Sequence, residues 1–506
     1  MPTPEHEIAI IGAGLSGIGC AIALRAAGFD DIVIYERAGD IGGTWRDNTY
    51  PGIGVDVPAQ AYQFSYELKP DWSRLFATGR EVKAYVDQVC DRYGIRPLIR
   101  FDSEVRARTW DAHAHVWRLA IGAREVTARW VISAIGPFVE RKPCDIPGVD
   151  EFAGTIVHSA AWDHTVSLRG KRVAIVGTGA SAVQIIPEIA REVAHLDVYQ
   201  RTPIWVAPKL DVVIPRPVQA LFRRAPRIQD KVRRWFTRST ERVLLGAVLD
   251  RQGSREREAR LRWWLEHVWY PSQIRDRELR AKLIPDYLFG CKRPAVSNTY
   301  LRTFTRPNVE LVTEPIERIT PRGLRTVAGR ERAVEILILA TGFRIASDPE
   351  IFRRTPVRGR DGFDLATFYD EQRAASYESI SMPQLPNHFM IFGPYGWTGG
   401  TWHELVETAS AHIVRVLAEA RARGATSVEV RAEAAERWTA FARERIAGSH
   451  LHGGGCATAN SYYFDKHGDT PFLRPTSARD AWRAARTFPL DDYVFTAHAA
   501  ALAKVS

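Results

Sequence analysis

The 506-residue chain has five cysteines and no C-x-x-C, and its fourteen histidines form no H-E-x-x-H. Thiols so few and so far apart (Cys20, Cys90, Cys144, Cys291, Cys456) suit a reducing compartment. Their spacing excludes a dithiol redox pair or a structural zinc of the usual pattern, and without a histidine motif a metal centre has no support. No G-x-S-x-G elbow occurs, so "HGGG" at 452–455 is not the oxyanion motif of a serine hydrolase. No run of about 18 uncharged apolar residues exists, which argues against a membrane-spanning helix. The opening MPTPEHEIAI has no basic n-region followed by an apolar stretch, so a secretory signal is not expected and a cytoplasmic location is.

What is present is ordinary for a soluble globular protein: 45% hydrophobic and 25% charged residues. The length calls for two or more domains. A net charge of +10 raises the question of nucleic acid or a membrane surface. Much of the excess is local, however, with eight Lys/Arg against two acidic residues in 221–242, the pattern of a solvated helical face. No nucleic-acid-binding motif accompanies it, and nucleic acid is not an expected partner.

Two stretches repeat one design. "EIAIIGAGLSGIGCAIALRAAGFDDIVIYER" (7–37) reads as strand, glycine turn, helix and strand, with Gly12, Gly14 and Gly17 in G-x-G-x-x-G and Glu36 closing the second strand. The glycines allow a tight turn and let a pyrophosphate approach the backbone N–H groups at the helix N-terminus, while Glu36 can accept from a ribose diol. "GKRVAIVGTGASAVQIIPEIAREVAHLDVYQRTP" (170–203) repeats it with Gly177, Gly179 and Ala182, but Gln200–Arg201–Thr202 stands where the first copy has its acid. Arg201 can pair with a 2′-phosphate that a carboxylate would repel. The first site therefore favours FAD or NAD and the second NADP. The Gly-Gly turn "GDIGGTWRDNTYPG" after Glu36, and the buried runs "WVISAIG" (130–136) and "EILILATGF" (335–343), favour FAD at the first site. The second run is expected to return the chain to the FAD domain. Flavin beside nicotinamide is an arrangement for hydride transfer.

Between the two units lies "EFAGTIVHSAAWD", in which Phe152, Gly154, His158, Trp162 and Asp163 spell F-x-G-x-x-x-H-x-x-x-W-D. With both glycine motifs in place, this segment makes the chain resemble the flavin-dependent Baeyer–Villiger monooxygenases of the single-component FAD/NADPH type. The resemblance runs from Ile8 to about the 470s. It implies two Rossmann-like α/β domains, an NADPH domain inserted into a discontinuous FAD domain, and oxygen insertion next to a ketone carbonyl through a C4a-peroxyflavin, giving an ester or lactone. The linker histidine would coordinate domain movement rather than act as a chemical catalyst.

Residue by residue, the resemblance implies that Arg293 in "FGCKRPAV" is the active-site arginine, that Asp56 in "YPGIGVDVPAQAY" holds it, and that Lys292 helps bind the NADP 2′-phosphate. A fixed guanidinium in a dry pocket would stabilise both the peroxide anion and the tetrahedral adduct. Thr44, Trp45, Tyr62 and Val105 would contact FAD, and Thr178, Ala180, Ser181, Gln184 and Thr202 NADPH. The chain departs from the family at Ile53–Gly54–Val55, where an arginine is lost at Gly54, and at Tyr462, where many members carry tryptophan. Aromatic residues around Trp397 and Trp402 and the stretch 453–475 are candidates for substrate contact and a lid.

The expected domains are FAD-binding 1–150 and 336–506, and NADPH-binding 151–211 and 286–335, with a helical insertion at 212–285. "ELVETASAHIVRVLAEARARG" spaces Val406, Ala409, Ile413, Val416 and Leu417 on one helical face closed by Gly424. The expected partners are O2 and a small ketone or other oxidisable molecule. Two alternatives stay open at this level: the same machinery oxygenating nitrogen or sulfur, and a flavin NADPH reductase or oxidase without oxygen insertion.

Overall fold

The computed structural model describes residues 3–244 and 253–498. Two sheets organise it. The first has eight strands around His6–Ile11, which is flanked in parallel by Ile32–Tyr35 and Arg124–Ser133. The second is a five-stranded, wholly parallel sheet in the spatial order Val309–Val312, His195–Tyr199, Arg172–Val176, Ile336–Leu339, Thr155–His158. Central strands of such sheets are covered on both faces, so they read as unbroken apolar runs. The Ile336–Leu339 strand, "ILIL", is buried throughout.

That strand corrects the expected domain boundary. It pairs with Arg172–Val176 and Thr155–His158 in the second sheet and does not begin the return to the first. The chain rejoins the first sheet later, where Val357–Arg358 pairs with the strand Val105–Asp111 and His388–Met390 pairs with Arg124–Ser133. The two buried runs play equivalent parts, one in each sheet. Gly12 and Gly177 both have strongly positive φ, +105° and +113°. A Cβ at Gly12 would lie 2.8 Å from the carbonyl oxygen of Ala134, and one at Gly177 2.5 Å from that of Ala340. Each run thus ends by pressing its backbone against the first glycine of its own sheet's turn, which only glycine tolerates.

The helix Leu15–Ala26 follows the first turn, and Gly28 after it is left-handed as its sequence suggests. It packs against Trp402–Ala422, whose Val406, Ala409, Ile413, Val416 and Leu417 are all buried. Gly19 makes that approach close, because a Cβ there would sit 2.7 Å from Val406 and 2.8 Å from Phe64. Within 212–285 the described residues are mainly helical, including Arg216–Arg224, Pro226–Leu244 and Ser254–Trp264; residues 245–252 of this stretch lie outside the described residues. Part of the basic charge there is paired, Arg233 and Arg234 both with Asp230 and Arg223 with Asp71. No described helix is long and apolar enough to cross a membrane.

The linker signature has a packing explanation at its start. Phe152 is buried against the second sheet with Leu337 and Val312. A Cβ at Gly154 would fall 2.6 Å from the Phe152 ring and 2.4 Å from the Glu335 carbonyl oxygen. The spacing F-x-G follows from one ring folding back over the residue two positions on. Gly154→Ala should cost about 1–3 kcal/mol through overpacking. A denaturant titration reads it as a lowered midpoint; an unchanged midpoint would show that the Phe152 ring can move aside freely.

Candidate active site

A cavity of about 1510 Å³ opens between the carboxyl ends of the two central strands, lined by both glycine turns. This exceeds the roughly 300–1,000 Å³ of a pocket for one small ligand. At the first turn, Gly14 caps Leu15–Ala26 with no side-chain acceptor, leaving the first N–H groups of that helix open to the cavity. Gly179 does the same for the helix Ala180–Ile189. These are two uncapped helix N-termini facing one space, the arrangement that accepts a pyrophosphate. Gly17, Gly177 and Ala182 do not reach the cavity surface. A Cβ at Gly17 would be 1.9 Å from the Gly12 carbonyl oxygen, so this glycine keeps the turn tight.

Glu36 is buried at the end of its strand. It accepts from the backbone N–H groups of Ala13 at 2.8 Å and Ala38 at 3.0 Å, and from Arg46 at 2.9 Å. A carboxylate has acceptor sites left after these three bonds, and Glu36 lines the cavity. The Arg46 contact has no counterpart in the glycine motif and was not legible there. Thr44, Trp45, Tyr62 and Val105 line the same wall. The Trp45 indole donates to the Tyr62 hydroxyl at 3.1 Å, and Trp402 donates to Ser16 at 3.0 Å, which ties the aromatic loop to the first turn.

Arg293 and Asp56, 237 residues apart, meet as a two-pronged pair: Nε donates to Oδ2 at 2.7 Å and Nη2 to Oδ1 at 2.8 Å. The guanidinium also lies 5.3 Å from the centre of the Trp397 ring. Both side chains keep a cavity-facing part, 25% and 30% exposed. Burial alone would raise the Asp56 carboxyl, but the charge and hydrogen bonds of Arg293 outweigh it and hold it below the ordinary range. Burial would likewise strip Arg293 of its proton, and Asp56 reverses that, raising it above its usual value. Each partner fixes the other's charge. Tyr462 also lines the cavity beside Arg293, its phenol pushed up to about 12 by burial and therefore neutral.

A second cationic group lies at the other unit. Lys292 and Arg201 line the cavity, and no carboxylate among the described residues pairs with either; burial, with the Arg201 charge adding to it, pushes the Lys292 ammonium down to about 8. The Arg201 charge thus weighs on a neighbouring ammonium that an anion would relieve. With the Asn460 amide turned so that its oxygen accepts, Arg201 Nε donates to it at 3.3 Å, which brings the 453–475 stretch onto the same spot. Thr178, Ala180, Ser181 and Thr202 line this end, with Thr178 donating to the Thr202 carbonyl at 3.0 Å.

Gln184 also reaches the cavity, but its amide is engaged across the two units. Its Oε1 accepts from Gly54 N–H at 3.2 Å and its Nε2 donates to the Gly54 carbonyl at 3.1 Å. A side chain at Gly54 would press on the Ala77 carbonyl, 2.9 Å from its Cβ. The glycine that replaces the family's arginine thus serves a backbone clasp. His158 ends its strand at the cavity wall. Its Nδ1 accepts from Ala160 N–H at 3.0 Å, and burial with nearby Arg141 lowers its proton affinity, so the ring is neutral. Trp162 is half-buried, and Asp163 caps a local turn by accepting from Thr165 N–H at 2.8 Å; neither lines the cavity.

Cys291 and Cys456, 165 residues apart, are joined in a disulfide. This corrects the exclusion of a dithiol pair, which considered only cysteines near each other in sequence. Among the described residues, the group of His195, Asp197 and Glu310 that could hold a metal ion is bridged by Arg332, which pairs with both carboxylates.

Comparison with known proteins places this geometry. The family model described as pyridine nucleotide-disulphide oxidoreductase matches residues 9–221, which contain both glycine turns. A Baeyer–Villiger monooxygenase of Streptomyces coelicolor is 36% identical over 97% of this chain and 92% of its own length. One of Pseudomonas aeruginosa is 37% identical over 95% and 88%. Among solved structures, OTEMO in complex with FAD and NADP superposes with a TM-score of 0.84 at 27% identity, covering 96% of this chain and 97% of that one. An oxidised steroid monooxygenase bound to NADP gives 0.85 at 26% identity, covering 97% and 100%. From its cavity to its linker signature, this chain belongs to the Baeyer–Villiger monooxygenase family.

Proposed function

We propose that this monooxygenase converts a ketone into an ester or lactone at the Arg293 end of the cavity, with Arg293 carrying the negative charge that develops on oxygen. FAD and NADPH are the cofactors of this enzyme. When bound, they supply a hydride and the reduced ring that activates O2. The supporting observation is the two-pronged Asp56–Arg293 pair at the wall of a cavity that both glycine turns face.

The chain's own residues supply position and electrostatics. The turn at Gly12–Gly14 and Glu36 would hold the flavin nucleotide, with Trp45 and Tyr62 against its ring end. Arg201 and Lys292 would hold the 2′-phosphate of NADPH, with Thr178 to Ser181 at its pyrophosphate. Asp56 aims the guanidinium and keeps it charged. A planar cation fixed in advance stabilises developing anionic oxygen without reorganising at the moment of reaction. Trp397 against it and neutral Tyr462 beside it bring no carboxylate that would compete for the cation.

Arg293→Ala should lower ester formation by about 100-fold or more while FAD stays bound, and NADPH consumption should turn to hydrogen peroxide release. Arg293→Lys keeps the charge but loses the fork, and should recover only part of the loss. Product per NADPH, measured with a ketone panel alongside amines and sulfides, checks this. Unchanged coupling in the alanine variant would remove Arg293 from the chemistry, and products from amines or sulfides alone would shift the reaction class.

A pH dependence follows from Lys292. In the free site its proton is lost near 8, and a 2′-phosphate must restore it. NADP+ affinity is therefore full below about 8 and should fall by up to about tenfold per pH unit above it. NAD+ affinity, with no phosphate at that position, should stay level. Titrations of both dinucleotides across this range test the assignment; a constant NADP+ to NAD+ ratio would exclude Lys292 from phosphate binding.

A further inference from the structure

The disulfide joins the two segments that close the cavity. Cys291 stands immediately before Lys292 and Arg293, and Cys456 opens the run that contains Asn460 and Tyr462. From Gly448 to Ser477 the chain contains no helix or strand. A structureless stretch of this length inside a compact domain marks a functional element. It is held to the arginine-bearing segment at few points. Leu288 N–H donates to the Gly455 carbonyl at 3.0 Å, and Thr458 donates to Asp286 at 2.9 Å, in an exposed position. Gly455 lies so close to Leu288 that a Cβ there would be 2.5 Å from its side chain. A further link is the covalent bond between two buried sulfurs. Downstream of it, Asn460 meets Arg201 and Tyr462 stands beside Arg293.

We propose that Cys291–Cys456 is a reversible oxidation site whose disulfide state holds the 453–475 stretch closed over the dinucleotide. The proposal rests on the assignment of Arg201 and Lys292 to the NADP phosphate given above. The oxidant is hydrogen peroxide, the product of O2 reduction when no substrate takes the oxygen. One thiolate attacks a peroxide oxygen, forming an S–O bond as the O–O bond breaks, and hydroxide leaves as water after taking a proton. The second thiolate attacks that sulfur, forming the S–S bond as the S–O bond breaks, and the departing hydroxide takes the second thiol's proton to leave as a second water. Two thiols lose two electrons and the peroxide gains them. Reversal takes two molecules of a small thiol such as glutathione, through a mixed disulfide, returning both protein thiols and one glutathione disulfide.

Both sulfurs are buried while Gly453, Gly454, Ala457 and Thr458 are exposed. A reductant therefore reaches the bond only when this stretch lifts. Linkage then makes the effect reciprocal: whatever factor reduction costs NADP+ binding, bound NADP+ favours the disulfide by the same factor.

The test compares NADP+ affinity of the FAD-loaded enzyme after peroxide treatment and after reduction, by fluorescence titration, with thiols counted in denaturant. The proposal expects three free thiols in the oxidised form, Cys20, Cys90 and Cys144, and five after reduction. NADP+ binding should weaken about fivefold or more on reduction. Cys456→Ser should bind like the reduced form in both conditions, and saturating NADP+ should slow reduction by glutathione. Five thiols after peroxide treatment, or equal NADP+ affinity in the two states, overturns the proposal alone. An enzyme that binds NADP+ in neither state overturns the phosphate assignment and this proposal with it.

Discussion

A guanidinium that must stay charged inside a cavity has to bring its own counterion, and the Asp56–Arg293 fork is that arrangement. The carboxylate comes from the first nucleotide unit and the arginine from a segment that follows the helical insertion. Removing either partner would leave a partly buried charge to be neutralised or flooded with water. The pair therefore does two things at once. It binds the insertion-side segment to the first unit, and it keeps a positive edge turned toward the space between the two glycine turns. Trp397 and Tyr462, both near the guanidinium, are neutral, so neither competes for that edge.

The opposite end of the cavity is built on the contrary rule. Arg201 meets the amide of Asn460, no carboxylate among the described residues pairs with Arg201 or Lys292, and burial beside Arg201 loosens the Lys292 proton. On the proposed reading, the paired cation would stay fixed for catalysis and the unpaired ones would receive a phosphate. The two ends of one cavity are thus told apart by whether a carboxylate has been provided.

The glycine motifs were legible because steric demand is written into residue identity. Gly12 and Gly177 face carbonyl oxygens at distances no side chain permits, and the alternating strand and helix signals around them follow from burial. The same logic explains why "EILILATGF" was assigned to the wrong sheet. A buried apolar run ending in small residues looks alike in either unit, and its neighbours across the sheet are not in the string. Glu36, Asp56 and Arg293 could be named, the last two only through resemblance, since a separation of 237 residues leaves no local trace. The Cys291–Cys456 bond, spanning 165 residues, leaves no local trace either, and the string does not show that Gln184, which lines the cavity, also engages the Gly54 backbone.

That backbone clasp has a mechanical meaning. One amide holds both polar groups of Gly54, so it resists sliding in either direction along that backbone while tolerating rotation about the line through its two bonds. Gln184 belongs to the helix that follows the second turn and Gly54 to the loop that follows the first. Any swing of one unit that preserves these bonds has its axis here, beside the cavity rather than out at the linker. Points near the pivot travel least. Phosphates held near it would therefore stay seated through such a swing, while more distant walls moved further.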